Sequence, residues 1–172
     1  MRYQEKLQAL MKNCNDVLGD VVGCDSFGQS RAGIGHADLA WYGVHGIETL
    51  YTIMGPGCIS VTRLQTDKSE QVTGLWENGR IGTYRGIREH THQTGFGATV
   101  FGTKSIQPIS LPADYEGLVV EIARFFKTRQ PPISADVTIE IFAFIEAADE
   151  SKRMGGIPVA LASVTEKAKG VR

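Results

Sequence analysis

The chain has little of what marks most specialised chemistry. Its 172 residues include only three cysteines, Cys14, Cys24 and Cys58, an odd number at spacings that match no metal-binding motif. Reduced, buried thiols in a cytoplasmic protein are the expectation, against a disulfide or a metal site. Neither charge is in surplus: 18 Lys and Arg stand against 19 Asp and Glu, a formal net charge of −1, which gives no support for a nucleic-acid or other polyanionic partner. No apolar run approaches the roughly 20 residues that span a bilayer, so no membrane segment is expected. The opening MRYQEKLQALMKNC lacks the continuous apolar core of a signal peptide. Cofactor and nucleophile signatures are missing too. There is no G-x-G-x-x-G between a strand and a helix, no P-loop, no G-x-S-x-G and no H-E-x-x-H. The nearest glycine cluster, Gly95-Phe96-Gly97 with Gly102, lies inside a strand pattern and fits a close-packed, twisted strand better than a phosphate cradle.

What is present describes one folded unit. A chain of 172 residues, 42% hydrophobic and with 20 glycines, suits a single domain with a real core and many turns. A single domain is expected over residues 1–165, followed by a frayed tail over 166–172. Residues 3–12 read as a short helix with Leu7, Leu10 and Met11 on one side. Residues 17–27 read as a strand, with Val17, Val21 and Val22 supplying β-branched character. The segment GHADLAWYGVHGIETLYTIMG, residues 35–55, has helical periodicity. Ala40, Gly43, Val44, Ile47, Leu50, Tyr51 and Met54 form an apolar stripe at ~100° per residue, and Trp41, His45, Glu48 and Thr52 fall on the other side. Gly55-Pro56-Gly57 ends that helix.

Strands follow. Ile59, Val61 and Arg63 alternate with Ser60, Thr62 and Leu64. Residues 71–76 and 81–85 flank an Asn78-Gly79 turn, the strongest short hairpin signal. A two-residue loop there sets Trp76 opposite Ile81, Leu75 opposite Gly82 and Thr73 opposite Tyr84. Residues 94–101 form a further strand, and residues 105–109 a short edge. Residues 112–128 place Tyr115, Leu118, Val119, Ile122, Phe125 and Phe126 on one face, the pattern of a core-facing helix. After Gln130-Pro131-Pro132, Ser134 caps a helix over residues 135–154, with Val137, Ile141, Phe144, Ile145 and Ala148 inward. Residues 159–161 form a last short strand. The expected fold class is α+β: an open, mainly antiparallel sheet of about five to seven strands with helices on one face. The other face is left free for a partner subunit.

Two constellations carry chemistry. On the outer side of the 35–55 helix, His45 has the side chain that moves protons near neutral pH, and Glu48 at i+3 can orient it or raise its pKa. Trp41 and Tyr42 can stack on a flat or sugar-like ligand, and His36 can join the same pocket. The same residues also fit bland roles, as a packed histidine, core aromatics and a loop residue. His90 and His92 share a strand face and could meet one metal, but two ligands without a third make a solvated loop the better reading. Arg80, Arg85 and Arg88 add positive charge near this end, which suits an anionic ligand or ordinary surface.

Three phrases together resemble one known family: HADLAWYGVHGIETLYTIMGPG, LWENGRIGTYRG and EIARFFKTRQPPISADVTIEIFAFIEAADESKRMGG. They are similar to the C-terminal domain of the glucose–fructose oxidoreductase/inositol dehydrogenase (Gfo/Idh/MocA) family, from Met1 to about Leu161. The resemblance implies an N-terminal nucleotide-binding Rossmann domain that this chain lacks. It implies a C-terminal open sheet that supplies the substrate side of the active site and builds dimers or higher homo-oligomers. It implies NAD or NADP for the full-length enzyme and no cofactor bound by this chain alone. The family's helix motif is Asp-x-x-x-His. His45 stands at its histidine, but Trp41 stands where the aspartate belongs, and Asp38 cannot replace it. The expected function is therefore the substrate-binding and oligomerisation domain of an NAD(P)-dependent oxidoreductase acting on a sugar, polyol or related hydroxy compound. Such a domain is not catalytic in isolation. The alternative is a stand-alone, non-enzymatic ligand-binding or assembly module. Expected site residues are His45 for catalysis in a full-length enzyme, and His36, Trp41, Tyr42 and Glu48 for substrate.

Overall fold

The computed structural model describes residues 1–31, 38–89, 95–112 and 114–170. His36, His90 and His92 lie outside them. The elements run in chain order as α1 (Glu5–Lys12), α2 (Cys14–Val17), β1 (Val21–Gln29), α3 (Gly43–Met54), β2 (Cys58–Gln65), β3 (Ser69–Trp76), β4 (Ile81–Ile87), β5 (Phe96–Gly102), β6 (Ile106–Leu111), α4 (Glu116–Thr128), α5 (Ala135–Arg153), β7 (Val159–Ala160) and α6 (Leu161–Gly170). Seven strands make one sheet in the order β6-β5-β1-β4-β3-β2-β7. Every described pairing is antiparallel except β1 with β4. The strands after α3 form the meander that short turns dictate, whereas β1 inserts between β4 and β5. This is the expected α+β class.

Several boundaries move for local reasons. The strand expected from residue 17 begins at Val21, because Cys14–Val17 coils into a helical turn and the chain then reverses at Gly19, whose φ is 70°. The helix expected to cover residues 40–42 starts only at Gly43. At the C-terminus, α6 continues to Gly170 where a frayed tail was expected.

The hairpin register is one residue away from the expected one. The loop has three residues, Glu77, Asn78 and Gly79, closed by the Trp76 amide donating to the Arg80 carbonyl at 2.9 Å. Gly79 alone takes the left-handed conformation, at φ 79°, as in a type I turn closed by a bulge. Leu75 therefore faces Ile81, Gly74 faces Gly82, and Val72 faces Tyr84. The physical reason is parity: a one-residue slip flips a strand's faces. Only this register sends Val72, Trp76 and Tyr84 inward together, all of them buried.

The core lies on one face of the sheet, under α3 and α5. Tyr51 of α3, Trp76 of β3 and Phe144 of α5 meet there, with the Tyr51 ring 5.6 Å from each of the other two. The indole Nε1 donates to the Gly55 carbonyl at 2.9 Å, which satisfies its one polar atom. Cys24 and Cys58 are buried and Cys14 is half-buried, all as free thiols, and burial pushes the Cys58 thiol up to about 12.

The described residues leave the opposite face uncovered. Ile106, Phe101, Ile81 and Leu75 line up across β6, β5, β4 and β3, and Ile81 is 55% exposed. One expectation fails outright. α4 does not face the core, and none of its residues is buried. Among the described residues no helix is long and apolar enough to cross a membrane.

Candidate functional site

The site begins with the way α3 seats on the sheet. Its inward stripe buries Ile47, Leu50, Tyr51 and Met54 against β1 and β4. Gly46 makes the close approach possible, because a β-carbon there would lie 2.2 Å from the Tyr84 ring. Tyr84 is itself fixed, its hydroxyl donating to the Gln29 carbonyl at 2.8 Å. With Gly46 pressed onto Tyr84, the preceding residue, His45, is turned to the flank of the helix. Sequence periodicity did not single out Gly46. Its signal was only a glycine inside a helical run, which costs helix propensity and so implies a packing reason.

His45 stands half-buried between two aromatic edges, 6.2 Å from the Tyr42 ring and 5.7 Å from Phe96, both near perpendicular. Its imidazole has no hydrogen-bond partner among the described residues and lines a cavity of about 450 Å³. The cavity is walled by the start of the chain, the end of β1, α3, Phe96 and the residues that open α4. Glu48 shares it, one helical turn from His45. The Glu48 carboxylate accepts from Arg2 Nε at 3.3 Å and lies 3.9 Å from the Met1 amino group. Burial lowers the His45 pKa, the Met1 amino charge lowers it further, and Glu48 opposes both without prevailing. The imidazole is thus neutral near pH 7, able to accept a proton rather than give one.

Of the residues expected from the sequence, Tyr42, His45 and Glu48 do meet in this cavity. Trp41 does not line it. Because α3 begins at Gly43, the i, i+4 relation expected between Trp41 and His45 does not form. Trp41 sits in the preceding turn, 43% exposed and edge-on to Tyr42 at 5.9 Å. The cavity also holds residues that the sequence did not flag, among them Gln29, Arg31, Phe96 and Asp114. They come from three separate parts of the chain, so no local spacing could have grouped them.

Asp38 is engaged elsewhere. Its carboxylate accepts from Arg63 Nη2 at 2.7 Å, Arg88 Nη1 at 3.0 Å and Lys152 Nζ at 3.0 Å. Burial opposes its ionisation, but the hydrogen bonds from Lys152, Arg88 and Arg63 outweigh that and hold the carboxyl well below the usual carboxylate range. Arg63, fully buried, also pairs with Glu70 and Asp149. This cluster accounts for Arg88. Arg80 donates to the Met54 carbonyl at 2.8 Å, and Arg85, on the surface, donates to Gln71 at 2.6 Å, so each of the three arginines has a partner within the chain. Among the described residues no group of three or more His, Cys, Asp or Glu could hold a metal ion.

No protein-family model and no curated sequence matches the chain. Solved structures do. Over 94% of this chain and 63% of the other, it superimposes on scyllo-inositol dehydrogenase from Lactobacillus casei with bound NAD(H) and scyllo-inositol, at a TM-score of 0.76 and 12% identity. The fold is that of the matched part of an inositol dehydrogenase. Myo-inositol 2-dehydrogenase from Lactobacillus plantarum matches at a TM-score of 0.78 and 15% identity, over 92% of this chain and 62% of the other. GenD2 from gentamicin A biosynthesis, in complex with NAD, matches at 0.75 and 15%, over 92% and 61%. The resemblance to the Gfo/Idh/MocA C-terminal domain therefore holds at the level of the fold, and the chain spans less than two thirds of each of these relatives.

Proposed function

We propose that this chain is the substrate-binding and oligomerisation domain of an NAD(P)-dependent oxidoreductase acting on a sugar, polyol or related hydroxy compound. The observation that carries the reading is His45: a half-buried imidazole with no hydrogen-bond partner among the described residues, opening into a cavity of about 450 Å³ beside a tethered carboxylate. In this reading His45 accepts the proton of a substrate hydroxyl as general base, while Tyr42 and Phe96 flank the ring and hold it to the cavity wall. Arg2 holds the Glu48 carboxylate beside the cavity, where it accepts hydrogen bonds from further hydroxyls.

The described residues do not fit a dinucleotide. The one parallel pair, β1 with β4, is joined through α3, β2 and β3 rather than by a single crossover helix, and the sequence carries no glycine-rich strand–helix turn. In this reading NAD(P) is carried by a separate nucleotide-binding domain, and the chain acts only together with it. The open sheet face serves a second copy of the chain.

The test joins the chain to a nucleotide-binding domain, where its gene encodes one, and assays nicotinamide reduction over a panel of inositols, hexoses and related hydroxy compounds. His45→Ala is expected to lower kcat by roughly 10²–10⁴-fold, the usual contribution of a positioned acid–base group. Unchanged turnover in that variant removes the catalytic assignment. Polyol binding with no turnover on any substrate favours the non-enzymatic ligand module instead.

A further inference from the structure

His45 sits in the first turn of a helix that does not fix its own N-terminus. Tyr42 occupies the cap position of α3 in helical conformation, at φ −99° and ψ −31°, without a side-chain cap bond, and the first turn holds no acidic residue. An uncapped first turn frays unless something outside the helix holds it. The imidazole has aromatic edges beside it, Tyr42 at 6.2 Å and Phe96 at 5.7 Å, and no hydrogen bond to pin it among the described residues. The seat of Gly46 on Tyr84 holds α3 just beyond His45. On the other side, the hold comes from residues 38–42.

The Arg63 cluster grips that lead-in along two lines. The first runs through Asp38, whose carboxylate accepts from Arg63 of β2, from Arg88 just after β4 and from Lys152 of α5. The next residue, Leu39, is fully buried and presses on the start of α3, since a β-carbon at Gly43 would lie 2.9 Å from Leu39 Cδ2. The second line runs through Glu70. Its buried carboxylate pairs with Arg63 and Arg88 and accepts from Ser30 Oγ, and that hydroxyl oxygen is 3.5 Å from the same β-carbon position at Gly43. Gly86 leaves room for this contact: a β-carbon there would stand 2.6 Å from Ser30 Cβ and 2.7 Å from Glu70 Cγ. Both lines end at the first residue of α3, two residues before His45. Desolvation offsets much of the attraction within a buried ion network, and the consequence of this one is geometric.

We propose that Asp38 is the positioning residue for His45: clamped by Arg63, Arg88 and Lys152, it fixes the turn that leads into α3 and so the depth at which the imidazole sits between Tyr42 and Phe96. The role of His45 rests on the functional reading above, whereas the placement of its ring is tested without turnover.

The experiment titrates the His45 imidazole by NMR in the 172-residue chain, its Hε1 line identified by its loss in His45→Gln. Asp38→Asn weakens the clamp and loosens the turn, and the ring gains water. Its midpoint is expected to rise by about half a pH unit toward the ordinary value, a threefold change in the ionisation ratio. Loss of a negative charge alone would lower the midpoint, so a rise reports lost burial. Ser30→Ala cuts the second line and should move the midpoint the same way by less. The charged groups on the cavity, the Met1 amino group, Arg31, Glu48 and Asp114, stay in place in both variants. Val164→Ala is the control: it opens a gap beneath α6, destabilises the fold without touching either line, and should leave the His45 titration unchanged. Where Asp38→Asn does not fold, Ser30→Ala decides against the same control. An unchanged or lowered midpoint in these variants overturns the proposal and leaves the functional reading standing. An equal rise in Val164→Ala also overturns it, because any loss of stability would then free the ring. A rise confined to Asp38→Asn and Ser30→Ala, with His45→Ala fully active in a two-domain enzyme, keeps the positioning and removes the functional reading.

Discussion

Gly46 shows how much one hydrogen atom decides. With a methyl group in its place, the Tyr84 ring would be 2.2 Å away, so α3 must lift or Tyr84 must turn and break its 2.8 Å bond to Gln29. Gly46→Ala is accordingly expected to destabilise the chain by about 1–3 kcal/mol, despite alanine's better helix propensity. Thermal melting should report a loss of roughly 2–4 °C per kcal/mol for a chain of this size. A variant as stable as the parent would mean that α3 does not bear on Tyr84. His45 belongs to the same scale. Its lowered pKa means that the unfolded chain binds the proton more readily than the folded one, so this residue's contribution to stability is present above the unfolded value of about 6.5 and is lost as pH falls through that value towards the folded one.

At the scale of elements, the charged cluster around Arg63 joins β2, β3, α5 and the turn before α3. Arg63 of β2 pairs with Glu70 of β3, Asp149 of α5 and Asp38. Arg63→Ala takes a buried cation away from Glu70, Asp149 and Asp38, leaving Glu70 and Asp38 to Arg88 and Lys152, and is expected to cost about 3–5 kcal/mol, read by denaturant unfolding. The same cluster sets an acid response. The lowered Asp38 pKa contributes stability above the unfolded carboxylate value of about 3.9, which is lost as pH falls through the lower folded value. Asp149 runs the other way, since burial raises its pKa against the pull of Arg63. Asp38→Asn should therefore be less stable than the parent at pH 7, and the gap should narrow as pH falls below about 4. A gap that is constant with pH would remove Asp38's charge from the account. The cluster was hardly legible in the sequence. Arg63 was seen on the same strand face as Val61, but its partners are 7, 25 and 86 positions away. The hairpin shows a subtler limit. Asn78-Gly79 announced the turn, yet whether the loop holds two residues or three was decided by the inward packing of Trp76 and Tyr84.

At the scale of the molecule, the described residues leave two apolar surfaces open, the outer sheet face and the stripe of α4. The six longer strands, β7 having only two residues, give at ~4.8 Å spacing a sheet face roughly 25 by 20 Å, near the scale of a standard interface side. The row Ile106, Phe101, Ile81 and Leu75 crosses it. If a second copy covers that face, Leu75→Asp with Ile81→Asp should turn a dimer into a monomer by light scattering, with little change in melting temperature of the monomer. A parent chain that stays monomeric at tens of micromolar, on the order of the affinity such a face should exceed, would count against the arrangement.

The sequence by itself determined the class of the fold, most of the strands and helices in their order, and the helix that carries His45 with Glu48 one turn on. These follow from periodicity, turn residues and i, i+3 spacing, which are local properties of a chain. Only the tertiary structure decided the hairpin register, the insertion of β1 between β4 and β5, the removal of Trp41 from the pocket and the exposure of α4. Each of these depends on what lies against a residue from a distant part of the chain. An amphipathic stripe such as that of α4 states that something must cover it, and only the packed molecule shows that nothing within these residues does.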